Sequence, residues 1–306
     1  MDIQNLLIGS GLVVRENIPL DGYVTLGVAG TARLLVEVET REKLLAAWQV
    51  VTASGRPVVV LGGGSNVVFS APVLEAVLLV NRSGGLALEG ELLRVGSGVS
   101  IGSLLAYARE NGRGGLEFLA GIPGTAGGSA AVNAGAFGCC LADCLVQAEV
   151  LTASGKVVVV QPDYFGFSYR DSALKYGNDI ILTLWLKTRV EKTERIAGTI
   201  REHIAYRRDH HPPYPQRSAG CFFKNPLLEN KKVSAGKLLQ ECGLLGRRFG
   251  PLRLAEQHAN FLLNDAGAMF PELEKAEREI VAAVERRTGL RLQREVIYID
   301  ALGRKF

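Results

Sequence analysis

Residues 217–226, RSAGCFFKNP, set a thiol, Cys221, three positions before an amine, Lys224, with the carboxamide of Asn225 beside it. A free thiol titrates near ~8.5, far below an alcohol, and a neighbouring cation lowers it further. Cys221 is therefore either a small buried side chain, the common fate of a free cysteine, or a group that gives up a proton. Two other stretches carry chemistry of a different kind. In 61–66, LGGGSN, the consecutive Gly62, Gly63 and Gly64 let backbone N–H groups point into one concavity, and Ser65 and Asn66 add side-chain donors. Such a loop suits a phosphate. It is neither GxGxxG nor a P-loop, and the alternative is a plain glycine-rich turn. In 121–138, GIPGTAGGSAAVNAGAFG, small residues broken by glycines can lie flat against a large planar ligand. Gly127 and Gly128 precede small residues able to start a helix, whose N-terminal dipole would face an anion. The alternative there is a tight helix–sheet contact. Two such loops on strand–helix scaffolds favour a dinucleotide over either alternative.

The elements that hold these loops can be read from apolar spacing. Residues 33–38 read as a strand, 40–54 as a helix with Thr40 as N-cap, and 56–62 as a buried strand. Together they form a β-α-β unit that delivers the first glycine loop. Residues 92–98 read as a strand and 100–112 as a helix stopped by Gly112. Residues 144–162 read as a hairpin and 179–190 as another strand. A charged helix and a proline-rich break, 191–216, mark the last domain boundary. Beyond it lies a smaller α+β unit: a loop with Cys221, a helix near 234–243, a strand at 260–264, a helix at 271–288 and a final strand at 294–300 carrying Glu295.

Composition narrows the class. The chain has 306 residues, 47% hydrophobic and 22% charged, which suits two or three globular domains. Net charge is +4, without a long basic run interleaved with aromatics, so nucleic acid is not expected. The five cysteines, Cys139, Cys140, Cys144, Cys221 and Cys242, are odd in number and form no CxxC pair. They argue against a disulfide framework and against zinc. His210 and His211 read as loop residues before Pro212 and Pro213. No stretch approaches the length of a membrane span and the first residues do not read as a signal peptide, so a cytoplasmic protein is expected.

In chain order, LGGGSN, GLEFLAGIPGTAGG, NAGAFG, YRDS, AGCFFKNP, HANFLLN and a late EV resemble the UDP-N-acetylenolpyruvoylglucosamine reductase (MurB) family, from about residue 24 to about 300. The resemblance implies a fold, cofactors and site residues. The implied fold class is α+β: a two-lobed FAD-binding domain of the vanillyl-alcohol-oxidase type plus a smaller α+β substrate-binding domain. The lobes would be residues 1–85 and 86–200, and the substrate domain 205–306. FAD would be the bound cofactor and NADPH the co-substrate. Gly62, Gly63, Gly64, Ser65 and Asn66 would form the pyrophosphate loop. Gly121, Pro123, Gly124, Thr125, Gly127, Gly128 and Asn133 would form the second flavin-contacting segment. The implied activity is reduction of UDP-N-acetylglucosamine enolpyruvate to UDP-N-acetylmuramate for bacterial peptidoglycan. A flavin oxidase of the same superfamily on another substrate is the alternative.

The family's carboxylate-binding arginine matches Arg170 in Tyr169-Arg170-Asp171-Ser172; a guanidinium grips a carboxylate with two parallel donors. Taken alone, Arg170 reads as a surface ion-pair residue. The family's late glutamate matches Glu295, and its proton donor, commonly serine, is here Cys221. Tyr169, Lys224 and Asn225 would contact the substrate. The short span between YRDS and AGCFFKNP points to the shorter family type, without a tyrosine-bearing loop. The family's Ser-Glu-Lys-His is here AEQH, 255–258, which leaves the roles of Gln257 and His258 open. Lys237, Arg247 and Arg248 become candidates for the UDP phosphates.

Overall fold

Val77–Asn81 is an apolar run buried at every position. A strand buried on both faces belongs in the middle of a parallel sheet, and there it lies. It pairs in parallel with Leu35–Val38 on one side and with Val58–Leu61 on the other. The two strands of the expected β-α-β unit are therefore parallel but not adjacent, because this third strand separates them. The helix between them, Arg41–Ala53, begins where Thr40 accepts the Lys43 N–H at 3.1 Å.

The computed structural model describes residues 3–213, 217–228 and 231–306. The end of the expected proline-rich break, 214–216, lies outside them. The chain divides into two compact units. One holds the residues up to Glu16, then Leu34–Gly63 and Ala76–Arg207; the other holds Asn17–Arg33, Gly64–Glu75 and the residues from Arg208 onward.

Besides the parallel ladder, the first unit contains an antiparallel sheet. Its strand order is Val157–Val160, Leu145–Leu151, Ile180–Lys187, Leu92–Gly96, Leu86–Glu89. The predicted hairpin forms, with Leu151 opposite Val157. Helix Ile101–Glu110 is capped by Ser100, buries Ile101, Leu104, Leu105 and Ala108, and stops before Gly112 at φ +61°. One apolar cluster lies under this sheet, and another, around Trp48, Val51 and Leu79, lies under the parallel ladder.

The second unit is built on the four-stranded sheet that contains Ser218–Cys221, Phe261–Asn264 and Leu252–Leu254 in that order. Helix Phe270–Thr288 buries Leu273, Ala276, Ile280 and Val284 at helical spacing, and Gly289 ends it at φ +72°. Val67–Phe69 pairs in parallel with Ile297–Ile299. Two expectations shift here. His210 is the last residue of helix Thr193–His210 rather than a loop residue, and His211 packs on the Phe261 ring at 4.8 Å. The final strand begins at Ile297, so Glu295 precedes it.

Cys144 is packed in the first unit's core, where burial first, then Asp143, pushes its thiol up to about 12. Cys139 is exposed. At pH 8 iodoacetamide should modify Cys139 rapidly and leave Cys144 intact until the chain unfolds. Peptide mass mapping checks this, and early labelling of Cys144 would contradict the packing.

Candidate active site

The two glycine loops meet inside the first unit. A Cβ on Gly62 would overlap Thr125 Oγ1, and one on Gly63 would lie 2.6 Å from Cα of Gly124. At Gly63 and Gly124 the loops thus touch backbone to backbone, while Gly62 faces the Thr125 side chain. The N–H groups of Gly62, Gly63 and Gly124 donate to no acceptor among the described residues. Polar backbone without a partner, in a strip that side chains cannot fill, fits an oxygen-rich ligand such as a pyrophosphate. The Arg82 guanidinium donates to the Gly62 carbonyl at 3.4 Å and adds positive charge beside the strip.

The rest of the second loop is mostly scaffold. Helix Ala126–Ala131 starts before Gly127 and Gly128 rather than after them, because Thr125 caps it by accepting the Gly128 N–H at 3.3 Å. Gly127 makes the tight helix–sheet contact: its N–H donates to the Ser97 carbonyl at 2.9 Å, and a Cβ there would lie 2.7 Å from Ser97 Cβ. Gly121, at φ +74°, lies under the Arg207 side chain, whose Nε donates to the Ala120 carbonyl at 2.8 Å. Pro123 is exposed between them. Asn133 is buried, with Nδ2 donating to the Ser168 carbonyl at 2.9 Å and Oδ1 accepting the Ala142 N–H at 3.0 Å.

The Asn133 bond to Ser168 leads to the arginine turn. Ser168 and Asp171 exchange backbone hydrogen bonds of 3.1 and 3.3 Å, which closes a turn around Tyr169 and Arg170. Arg170 has φ +55°, and its guanidinium stands 5.8 Å from the Tyr169 ring centre. Ser172 Oγ donates to the Ala131 carbonyl at 2.6 Å, so the motif's serine braces the turn.

The second unit holds the thiol and the carboxylate. Cys221 ends the strand Ser218–Cys221, opposite Phe261. It is not in a loop: Gly220, at φ +76°, absorbs a register shift that lets the strand continue. Beyond Cys221 the chain is held on both sides. Phe222 donates to the Asn260 carbonyl and accepts from the Glu295 N–H, both at 2.8 Å. Lys224 N–H donates to the Gln293 carbonyl at 2.8 Å. The Asn260 side chain clamps Phe223: Oδ1 accepts its N–H at 2.9 Å and Nδ2 donates to its carbonyl at 2.8 Å. The residues bearing Cys221 and Glu295 are thus neighbours in one backbone ladder.

Asn66 completes the frame around Glu295, its Nδ2 donating to the Glu295 carbonyl at 3.4 Å and its own carbonyl accepting the Ile297 N–H at 3.0 Å. Ser65 precedes it, half-buried. Gly64, at φ +64°, is required because a Cβ would overlap the Tyr23 carbonyl. Arg294, beside Glu295, pairs with Glu277 at 3.2 Å and stacks 3.5 Å from the Tyr298 ring centre. Burial, then Glu277, pushes the Tyr298 phenol far above its usual range, so it stays a donor to Glu277 at 2.6 Å. Asn225 braces the start of helix Ala235–Glu241 by accepting the Ala235 N–H at 2.9 Å. Burial, then the nearby His210, lowers the His258 pKa. Of the phosphate candidates, Lys237 pairs with Glu241 at 3.7 Å and Arg248 with Asp265 at 3.3 Å, while Arg247 stacks 5.4 Å from the Phe249 ring.

Nothing within HANFLLN singles out Asn260 beforehand; its signal is a buried carboxamide at the edge of an apolar strand. Removing it leaves two buried backbone groups unpaired, a cost of about 1–3 kcal/mol each before water enters. Asn260→Ala should therefore lower unfolding stability by about 2–4 kcal/mol. Urea denaturation reads this, and a loss below about 0.5 kcal/mol, the range of ordinary surface changes, would show that the clamp is dispensable.

The chain is similar to known proteins. A family model described as FAD binding domain matches residues 32–161. One described as UDP-N-acetylenolpyruvoylglucosamine reductase, C-terminal domain, matches residues 212–299. A UDP-N-acetylenolpyruvoylglucosamine reductase 2 of Symbiobacterium thermophilum is 34% identical over 92% of this chain and 91% of its own length. The Nostoc punctiforme reductase is 35% identical over 92% and 85%. The crystal structure of UDP-N-acetylenolpyruvylglucosamine reductase (MurB) from Thermus caldophilus superposes with a TM-score of 0.77 at 34% identity, covering 94% of this chain and 99% of that one.

Proposed function

The chain belongs to the UDP-N-acetylenolpyruvoylglucosamine reductase family, and we propose that Cys221, Arg170 and Glu295 carry the proton and charge chemistry of its reaction. That reaction is the reduction of UDP-N-acetylglucosamine enolpyruvate in peptidoglycan synthesis, with FAD as cofactor. The fold is α+β, an FAD-binding domain with a second, C-terminal domain. NADPH is the hydride source in this reading. When bound, FAD supplies the two-electron chemistry between NADPH and the enolpyruvyl group.

Residues 1–85 and 86–200 are read as the two flavin-binding lobes and 205–306 as the substrate domain. Backbone N–H groups of Gly62 and Gly63, with Gly64, Ser65 and Asn66, hold the cofactor pyrophosphate; Gly121, Pro123, Gly124 and Thr125 contact the cofactor. Gly127, Gly128 and Asn133 serve it by keeping that segment in place. A hydride added at the vinyl carbon β to the substrate carboxylate builds negative charge on the α-carbon and into the carboxylate. The Arg170 guanidinium takes that carboxylate with two parallel N–H donors. The Cys221 thiol gives its proton to the α-carbon, and the thiolate recovers one from solvent. Glu295 orients the enol region, and Tyr169, Lys224 and Asn225 contact the substrate.

The observation that supports this reading is the backbone ladder in the second unit, in which Phe222, next to Cys221, bonds to Asn260 on one side and to Glu295 on the other. Among the described residues no helix is long and apolar enough to cross a membrane. A cytoplasmic enzyme on a nucleotide-sugar substrate is part of the proposal.

The purified protein should be yellow, bleached by NADPH without oxygen and restored by the enolpyruvyl substrate; a protein that takes up no FAD would sink the reading. Cys221→Ala should slow the substrate half-reaction by about 10²-fold or more while sparing reduction by NADPH. Reoxidation at the wild-type rate would remove Cys221 as donor. Because a donor must hold its proton, wild-type turnover should fall at alkaline pH, and Cys221→Ser should move that fall to higher pH.

A further inference from the structure

Among the described residues, four that are not glycine have positive φ: Asn17, Asn133, Phe137 and Arg170. Asparagine tolerates this region; a bulky side chain there is unusual and persists where its surroundings over-determine it. At Arg170 part of that determination comes from an unexpected quarter. Lys175, five residues on, is 1% exposed, and its ammonium donates to the Arg170 carbonyl at 3.4 Å. The same ammonium lies 5.1 Å from the Tyr176 ring centre. A buried ammonium is costly unless it is bonded. A leucine or methionine would fill the same space without that cost, so the charge has a use that volume does not explain.

We propose that Lys175 is a positioning residue for Arg170: its buried ammonium holds the Arg170 carbonyl and so keeps the left-handed turn that aims the guanidinium at the substrate carboxylate. The inference rests on Arg170 being the carboxylate-binding residue. Three braces then fix the turn from different sides. Asn133 holds the Ser168 carbonyl, Ser172 holds the Ala131 carbonyl, and Lys175 holds the carbonyl of the strained residue itself. Lys175 acts through the Arg170 backbone and not on the substrate. A guanidinium must be held within a fraction of an ångström to grip a carboxylate with two donors, so loosening its backbone weakens carboxylate binding before it touches anything else.

The test is a double-mutant cycle on the FAD-loaded enzyme with Lys175→Met, Arg170→Met and both together. Flavin content and the rate of flavin reduction by NADPH are the controls. Two readouts are followed: the rate of flavin reoxidation by the enolpyruvyl substrate, and the Kd of the carboxylate-bearing product, UDP-N-acetylmuramate, by calorimetry. Lys175→Met should weaken product binding and slow reoxidation by about tenfold, leave both controls within about twofold, and add nothing in the Arg170→Met background. Effects of Lys175→Met that multiply with those of Arg170→Met would overturn the proposal, as would an unchanged product Kd. If Lys175→Met does not yield folded flavoprotein, Lys175→Arg replaces it, since the bulkier head must displace the Arg170 carbonyl. It should weaken product binding about threefold with Arg170 present and not with Arg170→Met; an equal effect in both backgrounds, or none in either, overturns the proposal. Should Arg170→Met itself leave product binding intact, the assignment of Arg170 fails, separately from its link to Lys175.

Discussion

The backbone N–H and carbonyl of Phe223 are buried and need partners, and the carboxamide of Asn260 meets both. Much of the second unit is a response to that demand. Strand pairing with Phe261–Asn264 runs through the register shift at Gly220 and ends at Cys221. A side chain then takes over the work of a neighbouring strand for one residue. Freed from the sheet on that side, the chain turns its other edge to residues 293–295, and the Glu295 N–H bonds to Phe222. Two segments from distant parts of the sequence, one with Cys221 and the other with Glu295, thus become neighbours through backbone bonds.

The same division of labour recurs in the first unit. Gly62, Gly63 and Gly124 contribute bare backbone, while Thr125, Asn133 and Ser172 tie down the segment that follows Gly124. Several residues that a motif marks as functional are braces in the fold. Gly127 exists for its contact with Ser97, and Asn225 holds the start of a helix. A shared motif records both kinds of residue without distinguishing them.

The local elements are legible in the sequence where period and cap agree. Thr40 announces the helix Arg41–Ala53, and the apolar spacing of Leu273, Ala276, Ile280 and Val284 announces the long C-terminal one. Val77–Asn81 is an apolar run like 56–62, but without the flanking helix and the GGGSN loop that mark that strand in the sequence. The alternation of REVIYID draws Glu295 onto the final strand, yet residues 293–295 bond to 222–224 instead, a choice made by distant chain. Cys221 and Arg170 stand out through the types of residue around them. Asn260 and Lys175 do not, because their roles lie in which carbonyl or N–H they meet, and no local pattern encodes that.

Neither unit is a continuous piece of chain, and Val67–Phe69 finds its parallel partner, Ile297–Ile299, near the end of the sequence. Ser70 receives its carbonyl acceptor from Ile299, 229 positions later. Chains leave the ribosome from the N-terminus at roughly 5–20 residues per second, and long-range pairings form slowly. The edge of Val67–Phe69 therefore waits unpaired for about 10–50 s of synthesis at such rates. The nascent protein carries that open edge through the interval, until Ile297–Ile299 closes it.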